Sequence, residues 1–146
     1  MPALSQNLTF TVNNTSTVAV NYPNTGTTAL TFLSDKVKGD GYFGNSDGLH
    51  TVAWRVNDFI GSITLEGSLT LDPQSTDWVT LTLTPTTTVY SVDTTGLART
   101  AGVTTTNYVT ATTVVKSYNF IGNFVWLRGK INNFTQGTVN FIKINR

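Results

Sequence analysis

The sequence predicts an all-β fold, a two-layer antiparallel β-sandwich of jelly-roll type in a single domain, and three observations carry that prediction. Apolar and polar side chains trade places every second residue over much of the chain, which is the period of a half-buried strand. Threonine is the most frequent residue and Glu66 is the only glutamate, so the composition suits pleated strands and leaves few helix formers. The stretch from Gly61 to Thr84 reads as two strands around a turn. Ile63, Leu65, Gly67, Leu69 and Leu71 alternate with Ser62, Thr64, Glu66, Ser68 and Thr70. Pro73 breaks that run, Asp72, Gln74, Ser75, Thr76 and Asp77 supply turn chemistry, and Val79, Leu81 and Leu83 resume the alternation.

The other elements follow in chain order. Leu8, Phe10 and Val12 define a first strand, and Asn13-Asn14 turns it into a second from Thr17 to Tyr22. Pro23-Asn24-Thr25-Gly26 leads to a third, Thr27 to Leu33, with Leu30 and Phe32 on its buried side. Ser34 to His50 holds four glycines and three aspartates without periodicity, which predicts a long protruding loop. Thr51 to Val56 is a strand with Val52, Trp54 and Val56 on one face, and Asn57-Asp58 turns it toward the central hairpin. Within the weakly patterned tract Pro85 to Tyr108, Tyr90 and Val92 suggest a short strand, and residues 94–107 form a second protruding loop. Strands are expected at Tyr108 to Val115, Asn123 to Gly129 and Thr138 to Ile144, with turns at Ser117 to Gly122 and Asn132-Asn133. The last strand is apolar enough to be tied into a sheet.

An internal echo supports two similar halves. Trp54 leads to Asn57-Asp58-Phe59 and then Gly61; Trp126 leads to Asn132-Asn133-Phe134 and then Gly137. This reads as two hairpins facing each other, with Trp54 and Trp126 filling the space between them.

Charge is sparse and divided. Only 12% of residues are charged, against about 25% in ordinary soluble domains. Through Asp93 three bases face eight acids, a balance of −5; beyond it stand Arg99, Lys116, Arg128, Lys130, Lys143 and Arg146 with no acid, a balance of +6. These cations are spread along the chain without a cluster, so no nucleic-acid partner is expected. Interleaved strands would mix the two signs, whereas segregated faces would suit subunits stacked head to tail. No apolar run approaches the roughly 20 residues of a membrane span, and Met1 to Phe10 lacks signal-peptide character. The expectation is a protein made in a cytoplasm, without a membrane partner.

Catalytic chemistry finds little support. Cysteine is absent, which removes thiolate nucleophiles and thiolate metal sites. His50 is the only histidine, with Asp47 its one close carboxylate, and no Gly-x-Ser-x-Gly elbow accompanies them. Asp40 and Asp47 lack the alternating ligands of a calcium loop. Asp72 and Asp77 are explained as turn formers. No catalytic residue, metal or cofactor is therefore expected.

Three segments together carry a resemblance: Gly61 to Leu71 with the Asp-Pro turn and Asp77-Trp78, then Asn123-Phe124-Val125-Trp126-Leu127-Arg128, then Gly137-Thr138-Val139. From about Thr51 onward the chain resembles small β-sandwich virion proteins of tailed bacteriophages, cyanophages included, which decorate the capsid or sit on the neck and tail. The resemblance implies a non-enzymatic structural protein of the virion, synthesised in the host cytoplasm, that forms homo-oligomers and contacts other virion proteins. Candidate contact residues are Tyr42, Phe43, Leu97 and Arg99 in the two loops; Tyr42 and Phe43 either pin onto the core or stand exposed. The alternative is a carbohydrate-binding sandwich that stacks a glycan on an aromatic ring, for which Trp78, beside the turn, is the best-placed tryptophan.

Overall fold

A computed structural model gives an all-β antiparallel sandwich. It describes residues 5–8, 10–12, 15–17, 20–21, 30–44, 48–86, 90–92, 98–100 and 104–145. The strands are β1 (Ser5–Asn7), β2 (Phe10–Val12), β3 (Thr15–Thr17), β4 (Val20–Asn21), β5 (Leu30–Leu33), β6 (Val37–Lys38), β7 (Leu49–Ser68), β8 (Val79–Thr80), β9 (Thr84–Pro85), β10 (Tyr90–Val92), β11 (Ala98–Thr100), β12 (Thr106–Ile121) and β13 (Trp126–Asn145). Among the described residues nine of these join one sheet, while β2–β3 and β10–β11 are separate two-stranded pairs.

Three long strands dominate the sheet. β7 runs between β13 on one side and β12, then β8, on the other. The 20 residues of β7 would span roughly 66 Å if straight. They do not run straight. Ile121 lies opposite Leu49 and Trp126 opposite Ser68, and the chain from Ile121 to Trp126 reaches at most about 18 Å. The two ends of β7 therefore meet at one end of the molecule, in opposite layers. In one layer residues 49–56 of β7 pair with residues 114–121 of β12 and with the end of β13; in the other, residues 60–68 pair with the start of β13.

The bend is built from bulges, which is where the structure departs from the sequence reading. Turns are expected at Asn57-Asp58, Ser117 to Gly122 and Asn132-Asn133, yet β7 and β13 continue through two of these positions and β12 runs to Ile121. Asp58 and Asn133 adopt left-handed conformations, φ 49° and 51°, and the pairing register slips beside each. An extra residue in one strand bends it and shifts its inward face by one position. Accordingly the buried positions of β7 pass from Val52, Trp54 and Val56 to Phe59, Ile63 and Leu65.

The internal echo corresponds to this pair of bulges. Phe59 and Phe134 are both fully buried, with ring centroids 5.5 Å apart, and Phe32 and Tyr108 pack edge-on against them. Gly137 follows with φ 89°, and a β-carbon there would enter the Asp58 carbonyl. The tryptophans do not both share the core. Trp54 is fully buried, stacked on Tyr118 and donating through Nε1 to the Tyr108 hydroxyl at 2.9 Å. Trp126 lies on the outer side of its layer and donates to the Leu71 carbonyl at 2.8 Å.

Several further expectations change. The central hairpin is real but short, Glu66 opposite Thr80 and Gly67 opposite Val79. Its polar face is covered, since Ser62, Thr64, Glu66 and Ser68 are buried along with Ile63 and Leu65, whereas Leu69 and Leu71 are exposed. Segment 69–78 crosses that face, so the alternation that puts Leu69 inward ends at Ser68. Among the described residues up to Lys38 the strands are not a succession of hairpins. β1, β4, β5 and β6 each pair with β13, from Ser5 opposite Asn145 to Lys38 opposite Trp126, forming one interrupted edge strand. β2 and β3 pair with each other instead, on either side of Asn13-Asn14, which lie outside the described residues. Likewise β10 and β11 pair across residues 93–97, also outside them. β13 is interleaved between the N-terminal strands and β7, so the two charge signs mix: Arg128 Nε donates to Glu66 Oε2 at 2.6 Å.

Candidate functional site

The Ser34–His50 segment is bound to the sheet along its described length. Ser34 N–H donates to Gly129 O, Gly39 N–H to Val125 O and Gly41 N–H to Phe124 O, and a 3-10 turn covers Asp40–Phe43. Gly39 packs so closely on the Phe124 carbonyl that no side chain fits there. This anchoring delivers Tyr42 and Phe43 to the surface, 40% and 48% exposed. They are not pinned into the core. Tyr42 tilts against Trp126 with centroids 5.1 Å apart and meets Phe43 edge-on at 5.4 Å. Lys38 Nζ lies 4.4 Å from the Tyr42 ring centroid, and Lys36 Nζ lies 4.5 Å from that of Trp126.

Strand register explains this assembly. Trp126 and Arg128 point outward from β13, Lys38 pairs with Trp126, and Glu66 lies directly across from Arg128. Opposite charges in directly opposed positions attract. The turn at 73–77 then returns the chain over the face: Asp77 N–H donates to Gln74 O, and Asp77 Oδ2 accepts from Gln74 N–H at 2.7 Å, the turn role expected of that aspartate. The turn seats Trp78 on the guanidinium of Arg128, whose central carbon is 4.1 Å from the ring centroid. Between this turn and Ser34–Lys36 opens a cleft of about 370 Å³, walled by Asp35, Lys36, Gln74, Ser75, Trp78 and Arg128.

Comparison with protein-family models and with curated proteins gives no match. Among solved structures the chain is similar to the N-terminal CBM22-1–GH10 modules of Clostridium thermocellum endo-1,4-β-D-xylanase 10B, complexed with xylohexaose, at 12% identity and a TM-score of 0.37. The match covers 97% of this chain and 26% of that one, so the chain spans about a quarter of the xylanase chain it matches.

The remaining predicted positions fall elsewhere. Leu97 lies outside the described residues, and Arg99 sits in β11, opposite Ser91. Asp47, considered with His50, is also outside them. His50 is fully buried, stacked on Phe120 at 4.7 Å, with Nδ1 2.8 Å from the Gly48 carbonyl. A carbonyl only accepts, so Nδ1 carries the proton, and Nε2 is buried without a partner. No group of three or more His, Cys, Asp or Glu placed to hold a metal occurs among the described residues.

Sequence reasoning missed Arg128 as a site residue. The signal available was its position two residues beyond Trp126 on one strand face, with Glu66 the only glutamate. The outer face of the other layer was missed as well. There Leu49 stands opposite Ile121 and Arg55 opposite Val115, and Phe141 and Lys143 of β13 flank them. Val115 and Ile121 are 60% and 79% exposed. Arg55 and Lys143 are this face's only charges among the described residues.

Proposed function

We propose that the chain is a non-enzymatic structural subunit that works by docking on proteins, above all on further copies of itself. The observation that supports this reading is the sheet face bearing Leu49, Val115 and Ile121, which leaves three large aliphatic side chains exposed beside two cations. Leu49 and Ile121 lie side by side at one end of this face and Val115 about 20 Å farther along β12; large aliphatic side chains left exposed on a sheet face suit contact with another protein. A virion of a tailed phage is the assembly that the sequence resemblance implies, and that resemblance alone speaks for it.

The test is the mass of the purified protein in solution, by light scattering over a range of concentrations. The expected result is a multiple of 15.8 kDa, reduced to the monomer by Val115→Asp with Ile121→Asp while the circular dichroism spectrum is unchanged. A wild-type protein that stays monomeric at every concentration overturns the proposal.

A further inference from the structure

We infer that the cleft between Ser34–Lys36 and the 73–78 turn is a binding site for a neutral saccharide. It lies on the layer opposite the proposed docking face, so the two readings are independent. The inference starts from Arg128. Its Nε is engaged by Glu66 Oε2, its guanidinium carbon is seated on Trp78, and its side chain is only 16% exposed. The two terminal nitrogens have no hydrogen-bond partner among the described residues, so a fixed pair of planar donors faces the cleft. Orientation costs nothing further on binding, because the salt bridge and the indole already hold the group.

The balance of charge selects the ligand. Arg128 and Lys36 are offset by Glu66 and Asp35, so the walls carry no excess that would favour a phosphate or a uronate. What they do offer is variety. Asp35 is an exposed acceptor, Arg128 supplies donors, Gln74 supplies both through its side-chain amide, and Trp78 presents part of an indole. A sugar ring needs this combination: vicinal hydroxyls that donate and accept at once, and a C–H face that packs against an aromatic ring. The cleft volume of about 370 Å³ falls within the roughly 300–1,000 Å³ usual for small-molecule sites. Gln74 is itself held by the turn, through Asp77, so its side chain starts from a fixed backbone.

The experiment is titration of the full chain, followed by tryptophan fluorescence and by amide NMR shifts. The neutral probes are cellohexaose, a mannan oligomer and a galactan oligomer; trigalacturonate and inorganic phosphate serve as anionic ones. Saturable binding of at least one neutral probe is expected, weakened by about tenfold or more in Trp78→Ala and in Gln74→Ala. Both substitutions are at accessible positions and should leave the circular dichroism spectrum unchanged. Absence of binding by every neutral probe up to tens of millimolar overturns the inference. So does binding of the anions alone, or binding that survives both substitutions undiminished. The same titration on Val115→Asp with Ile121→Asp is expected to match wild type, which separates this site from self-association.

Discussion

Tyr108 shows how single side chains carry the fold. Its hydroxyl accepts the buried Trp54 Nε1–H at 2.9 Å while its ring packs edge-on against Phe59. Burial pushes its phenol above the ordinary value of 10.0; the Trp54 hydrogen bond opposes this in part, and Tyr118 adds to it. A group whose folded pKa is raised stabilises the fold fully below its unfolded pKa, and that contribution disappears as pH rises through the folded pKa. Thermal denaturation is therefore expected to show melting temperature falling above about pH 10, with a shallower fall in Tyr108→Phe. At neutral pH the same variant leaves Trp54 Nε1 buried without an acceptor, and denaturant unfolding should register a loss of about 1–3 kcal/mol. Gly137 is the complementary case. At φ 89° and against the Asp58 carbonyl, Gly137→Ala combines backbone strain with a clash that cannot relax by rotation, and a loss of roughly 2–4 kcal/mol is expected in the same measurement.

At the level of elements, alternation in the sequence located Val52, Trp54, Val56, Ile63 and Leu65 on the buried side of β7, whereas at the start of β13 it favoured Trp126 and the structure buries Leu127 and Ile131. What it could not distinguish was a turn from a bulge. Asn-Asp-Phe and Asn-Asn-Phe each change the parity of the apolar run, and residues tolerant of left-handed backbone serve both purposes. Only the partner strand decides between them, because a bulge requires a neighbour whose register it can slip against. The same limitation hid the cleft. Trp78 could be read as exposed beside a turn, but its seat on Arg128 depends on Glu66 and Arg128 facing each other across β7 and β13, 62 residues apart in sequence. Leu69 and Leu71 continued the alternation past the point where β7 ends at Ser68, so their inward assignment failed. The 34–50 segment read as a loop because its attachment uses backbone groups, which leave no pattern in side-chain chemistry.

For the molecule as a whole, the decisive fact is where the last strand lies. β13 sits inside the sheet, with β7 on one side and β1, β4, β5 and β6 on the other. A chain ending at Val125 loses the partner of five other strands, and it is expected to give the circular dichroism spectrum of an unfolded chain rather than that of a smaller β domain. The sandwich was legible from composition and period; the central position of β13 was not, since nothing in a strand's own residues tells which strands flank it.

That pairing also sets how the molecule responds to load. Ser5 lies opposite Asn145 in an antiparallel ladder, so tension drawn between the two ends is carried by one pair of backbone bonds at a time. β1 would peel from its neighbour like a zip instead of resisting in shear.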